Sequence, residues 1–117
     1  MGMTYVDGTV IGPDELQAGV RFLVDGGAAY TLLPHEVWQA IGLAPKRRQG
    51  ITLADGTMVT RGISECRIAL PQAEGNTTVI LRDPSDGALL GAYALDGFGL
   101  MLNPFDRTLQ PPRLMLA

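Results

Sequence analysis

The sequence is poor in the residues that carry most metal and nucleophile chemistry. It has one cysteine, Cys66, and one histidine, His35. One cysteine excludes an intrachain disulfide and a thiolate metal cage, and one histidine leaves a His-based triad or zinc site short of parts. No metal and no other cofactor is therefore expected. Charge is also sparse, at 18% of residues with a net −3, which gives no electrostatic footprint for nucleic acid. The only basic cluster, Lys46-Arg47-Arg48, follows Pro45 and reads as a solvated loop. No apolar run approaches the roughly 18 residues of a membrane span. No basic-then-apolar N-terminal segment reads as a secretory signal, and Val6 breaks the myristoylation pattern after Met1-Gly2. The expectation is a cytoplasmic protein with neither nucleic acid nor membrane as a partner. Asn76-Thr77-Thr78 is formally a glycosylation sequon and reads here as turn sequence.

What is present is apolar and finely punctuated. Apolar residues make up 46% of 117 residues, enough for one packed domain spanning 1–117. Turn signals separate short β-rich segments, a spacing that predicts a mainly β barrel or sandwich with one or two short helices. Strands are expected over Tyr5 to Ile11 (with a kink or bulge at Asp7-Gly8), Gly19 to Val24, and Tyr30 to Leu33. Pro34 fits the first turn of a helix running to Ile41, with Gly42 as its stop. Ile51 to Ala54 and Met58 to Arg61 flank Asp55-Gly56-Thr57 as a tight hairpin. Further strands are expected over Ile63 to Leu70, Thr77 to Leu81, Ala88 to Gly91 and Gly99 to Leu102, with a short helix over Ala92 to Phe98. A last apolar stretch is Leu114-Met115-Leu116.

Val24-Asp25-Gly26-Gly27-Ala28 is the stretch that points to chemistry. It sets an acid at the end of the apolar run Phe22-Leu23-Val24. Ionising an acid there is costly if the strand end is buried, since desolvation disfavours the charged form. Asp-Gly also occurs at 7, 55, 86 and 96, where Asp bonds the local backbone and Gly accepts unusual φ. Residue chemistry by itself therefore favours another hairpin turn at Asp25. The apolar flanks and the double glycine dissent, because they suggest close backbone approach rather than reversal alone.

An ordered set of motifs resembles the bacterial single-domain members of the retropepsin-like aspartic protease family. Phe22 to Ala28 followed by Thr31-Leu32-Leu33-Pro34 is similar to that family's catalytic loop and next strand. Leu53-Ala54-Asp55-Gly56-Thr57 resembles its flap hairpin, and Ala88-Leu89-Leu90-Gly91 the element beneath its active-site loop. Ala94-Leu95 through Gly99-Leu100 and Asn103-Pro104 resembles its short helix and closing strand. The resemblance implies a small closed β-barrel of the acid-protease type. It implies a homodimer in which each chain contributes one aspartate, and a peptide or protein substrate. Asp25 then takes the catalytic role and Gly26, Gly27 and Ala28 form the active-site loop. Ala54, Asp55, Gly56, Thr57 and Met58 are flap candidates, and Leu89, Leu90 and Gly91 support the loop.

The departures from the family pattern are specific. A hydroxyl residue is expected after the catalytic aspartate, where it bonds across the dimer, and Gly26 cannot supply it. Three readings follow: weakened activity, a degenerate site, or a deliberately disabled enzyme. Viral members carry acidic residues after the motif and an Arg after the later glycine, which pair. Ala29-Tyr30 and Ala92 stand at those positions, implying another means of loop support. Tyr30 and Trp38 read mainly as core, His35 as a surface residue at a helix start, and Asp86 and Asp96 as local caps and turns. Met101, Met115 and Leu116 read as core or dimer interface.

Overall fold

The computed structural model describes residues 3–83, 87–103 and 105–111. Its first strands are β1 (Tyr5–Ile11) and β2 (Gln17–Val24), antiparallel, with Val6 opposite Phe22 and Val10 opposite Ala18. Burial in β2 alternates from Val20 to Val24, placing Val20, Phe22 and Val24 in the core and Arg21 in solvent, as the two-residue period of a half-buried strand requires. The ladder runs through Asp7 and Gly8 without interruption, so the expected kink is absent. The Gly8 position is instead tight, with the Leu70 side chain 2.8 Å from where a Cβ would lie.

After β3 (Thr31–Leu33), Pro34 sits in extended geometry and α1 (His35–Ala40) follows, closing at Gly42 with φ +73°. The β4 strand (Arg47–Thr52) and β5 (Met58–Ala69) form the hairpin around Asp55-Gly56. Two expectations fail here. Arg47 and Arg48 belong to an edge strand rather than a loop. Met58 to Ala69 is one strand, not two, and runs straight through Gly62. A Cβ at Gly62 would stand 2.8 Å from the Pro45 ring, so this glycine serves close packing and not a turn. The β6 strand (Glu74–Leu81) likewise takes in Asn76-Thr77-Thr78, with Asn76 opposite Arg67, so that segment is ladder and not turn.

The later chain gives β7 (Leu89–Leu90), α2 (Ala92–Phe98), and a separate two-stranded sheet of β8 (Met101–Asn103) and β9 (Thr108–Gln110). Helix α2 ends at Gly99 in the left-handed conformation, the usual glycine C-terminal stop. Asp96, within its last turn, accepts the Gly99 N–H through its backbone carbonyl. Met101 is 52% exposed rather than core. Met115, Leu116 and Asp86 lie outside the described residues.

The main sheet pairs in the order β1-β2-β7-β3-β6-β5-β4, and β1 also pairs with β5. The pairings thus run in a closed circuit, with β4 as an outer strand. Phe22, Leu33, Ile68, Val79 and Leu90 are among the side chains buried within it. Among the described residues, no helix is long and apolar enough to cross a membrane.

Candidate active site

The short strand β7 organises the site. It pairs parallel with β2, Val24 beside Leu90, and antiparallel with β3, Leu32 beside Leu89. Strands β2 and β3 are therefore separated by β7, and residues 25–30 arch over its end. This rules out the hairpin reading of Asp25, since the strands on either side of it are not each other's partners.

Backbone contacts pin that arch from beneath. Asp25 donates its N–H to the Leu90 carbonyl at 3.0 Å, and Leu23 donates to Ala88 at 3.1 Å. Ala92 and Tyr93, opening α2, donate to the carbonyls of Ala28 at 2.7 Å and Ala29 at 3.0 Å. Gly91 lies directly under the arch: a Cβ there would come within 2.4 Å of the Tyr30 carbonyl oxygen. Only a residue without a side chain allows that approach. The Gly91 N–H is taken by Thr31 Oγ1 at 3.1 Å, and Thr31 is buried at 1% exposure. Thr31 has no role in the sequence pattern beyond strand. The available signal was a hydroxyl within an apolar strand, which needs a partner when buried.

Asp25 is half-buried, not fully buried, at the end of β2. Its Oδ1 accepts the Gly27 N–H at 2.9 Å, and its carbonyl accepts the Ala28 N–H at 3.2 Å. Asp25 does shape a local turn, as Asp commonly does. Among the described residues no donor reaches Oδ2, so that oxygen is open to water or to a second acid. Gly26 is exposed, and a Cβ built on it meets nothing within 4 Å. Gly27 is tighter, since its Cβ would stand 3.3 Å from Asp25 Oδ1.

The Tyr30 and Tyr93 rings meet edge to face at 5.3 Å, beside the two backbone bonds from α2. Aromatic edge contacts of this kind add about 0.5–1.5 kcal/mol beyond area burial. Tyr30, half-buried, also lines a cavity of about 180 Å³ with Gln49, Gly50, Ile51, Ile63 and Ile80. The loop that holds Asp25 and the β4–β5 hairpin thus share a wall.

The hairpin tip is built by turn chemistry. Gly56 has φ +88°, and its N–H bonds the Leu53 carbonyl at 2.9 Å. Asp55 Oδ1 accepts the Thr57 N–H at 2.9 Å, which holds the exposed Asp55 carboxyl below its ordinary value. Ala54 to Met58 are all exposed, Met58 at 71%. Trp38 is half-buried against the core, with its Nε1–H on the Arg82 carbonyl, and His35 stands edge-on to it at 4.9 Å. Among the described residues no cluster of three His, Cys, Asp or Glu side chains could hold a metal.

A family model described as gag-polyprotein putative aspartyl protease matches residues 17–96, over two thirds of the chain. The chain belongs to that family. The matched span runs from the start of β2 into α2. It contains Asp25, the hairpin tip and the Leu89-Leu90-Gly91 support, and it leaves out β1 and the β8–β9 pair. No curated protein matches the chain.

Proposed function

We propose that the chain is an aspartic endopeptidase that hydrolyses peptide bonds as a homodimer, with Asp25 of each protomer forming the catalytic pair. The observation that carries this reading is the arch over Gly91. It holds Asp25 at a strand end with Oδ1 committed to Gly27 and Oδ2 open, in a member of an aspartyl protease family. One carboxylate acts as base toward water while its protonated counterpart polarises the scissile carbonyl. Two such acids close together share one proton and titrate as a pair. The β4–β5 hairpin, with exposed Leu53 and Met58 near its tip, serves as the flap, and the cavity beside Tyr30 receives a substrate side chain.

The test is cleavage of a peptide library at acidic to neutral pH, with and without a transition-state inhibitor of aspartic proteases. The native chain, Gly26→Ser and Asp25→Ala are compared. Activity in the native chain or in Gly26→Ser, abolished in Asp25→Ala, supports the proposal. If Gly26→Ser is also inert, the peptidase reading fails. Gly26 itself favours a second reading, a dimeric peptide-binding module that keeps the cleft without the chemistry. Peptide binding without cleavage, unchanged by Asp25→Asn, would select it.

A further inference from the structure

On the β4–β5 hairpin, residues opposite one another share a face. Gln49, Ile51 and Ile63 turn toward the cavity beside Tyr30. Arg48 pairs with Gly62 and Gly50 with Thr60, so Arg48, Thr60 and Gly62 occupy the other face. That other face, closed by α1, bounds a separate cavity of about 230 Å³.

Its walls combine cations with a rigid apolar floor. Arg48 lines it from this face, while Arg61, opposite Gln49 in the ladder, also borders it, where its charge is met by Asp83; Arg48 is thus the cation left over in a chain whose net charge is −3. Arg61 is fixed by Asp83 at 3.1 Å and by the Thr60 carbonyl at 3.2 Å. The Arg48 side chain has no hydrogen bond or ion pair among the described residues, and its backbone belongs to the β4–β5 ladder. The floor is Pro45, Leu81 and the Trp38 indole. Pro45 is packed so closely on Gly62 that a Cβ there would meet it at 2.8 Å. The indole is held by its bond to the Arg82 carbonyl at 2.9 Å. A guanidinium matches a carboxylate through two parallel N–H bonds, and an aromatic wall beside it matches an apolar body.

We propose that this cavity is a binding site for a carboxylate carried on a compact apolar body, with Arg48 as the charge partner and Trp38 as the wall. A free aryl acid and the C-terminal carboxylate of a peptide share this chemistry. The site lies on the opposite hairpin face from the proposed cleft and does not depend on peptidase activity.

Trp38 is the only tryptophan in the chain and lines this cavity, so its fluorescence reports on it. The full chain is titrated at constant ionic strength with benzoate, and with benzamide as its uncharged counterpart. N-acetylphenylalanine and its amide form a second pair, and inorganic phosphate is the apolar-free control. A saturable change with either carboxylate and none with its amide is expected, and the carboxylate that binds identifies the source. Arg48→Gln, at an exposed strand position, should weaken that binding about tenfold or more, as loss of a charged hydrogen bond does. The proposal is overturned if neither carboxylate saturates, if phosphate alone binds, if the amides bind equally, or if Arg48→Gln binds as well as the native chain.

Discussion

Gly91→Ala isolates the contact on which the Asp25 loop rests. The Gly91 backbone has φ −97° and ψ 176°, a conformation open to any L residue, so the cost of the substitution is steric alone. The new Cβ would lie 2.4 Å from the Tyr30 oxygen, 2.5 Å from its carbonyl carbon and 2.9 Å from the Ala29 oxygen. All three are backbone atoms that no rotamer change can move. Restoring ordinary contact at about 3.4 Å requires the arch to rise by about 1 Å. The Ala92–Ala28 and Tyr93–Ala29 bonds, at 2.7 and 3.0 Å, stretch toward or past their limit. Overpacking costs about 1–3 kcal/mol, and each strained buried hydrogen bond adds about 1 kcal/mol. The expected loss is about 3–5 kcal/mol, or roughly 15 °C in Tm for a chain of this size. Urea unfolding of Gly91→Ala beside Gly19→Ala supplies the measurement, since a Cβ at Gly19 meets nothing within 4 Å. A Gly91→Ala midpoint equal to that of the Gly19 control would refute the close-approach argument.

Thr31→Val removes the acceptor of the buried Gly91 N–H while keeping shape, and should cost about 1–3 kcal/mol in chemical denaturation. Gly26→Ser should leave the unfolding midpoint within about 0.5 kcal/mol of the native chain, because its Cβ enters open space; a larger loss would show a constraint within the chain. Burial pushes the Cys66 thiol up to about 12, so at neutral pH it should resist a disulfide reagent while folded and react once unfolded. The raised value also means that stability from this group is complete below the unfolded thiol pKa and falls as pH rises through the folded one. The Asp55 carboxyl is lowered by the Thr57 N–H, so its contribution to the turn is present above the ordinary carboxylate pKa. It is lost as pH falls through the folded value, and the Thr57 amide shift in an NMR titration should follow that step and vanish in Asp55→Ala.

Local chemistry made much of the fold legible. Alternation in Tyr5 to Ile11 and Gly19 to Val24, the Pro34 entry to α1 and the Gly42 stop all act within a few residues. So does the α2 span from Ala92 to Phe98. The misread boundaries share one cause. Asp7-Gly8, Gly62 and Asn76-Thr77 carry turn composition, yet each sits in a ladder because long-range pairing overrides local preference. Arg47 and Arg48 look like loop in sequence because an outer strand with solvent on its exposed residues has no apolar alternation to reveal it. At the site, the position of Asp25 after an apolar run was visible. Leu89-Leu90-Gly91 beneath the loop was implied only by the family resemblance, and the Thr31–Gly91 bond by nothing, since the two are 60 residues apart and neither implies the other in sequence.

The same geometry bears on what Gly26 does. Among the described residues, the bonds that hold the Asp25 loop come from Leu90, Ala92, Tyr93 or the loop itself, and none needs a side chain at position 26. A Cβ there meets no atom of the chain beyond its neighbours within 4 Å, so the partner to test for a hydroxyl is something outside that chain. Under the proposed dimer, that something is the partner's loop. The cost of Gly26 should then appear in dimer affinity and in the turnover of the dimer, while folding of the single chain stays unchanged. Sedimentation of the native chain and Gly26→Ser over a concentration series separates these effects. Tighter association of Gly26→Ser, with the same unfolding midpoint extrapolated to low concentration, locates the missing hydroxyl at the interface. Equal association of the two proteins would remove the interface explanation and leave Gly26 without a physical role in assembly.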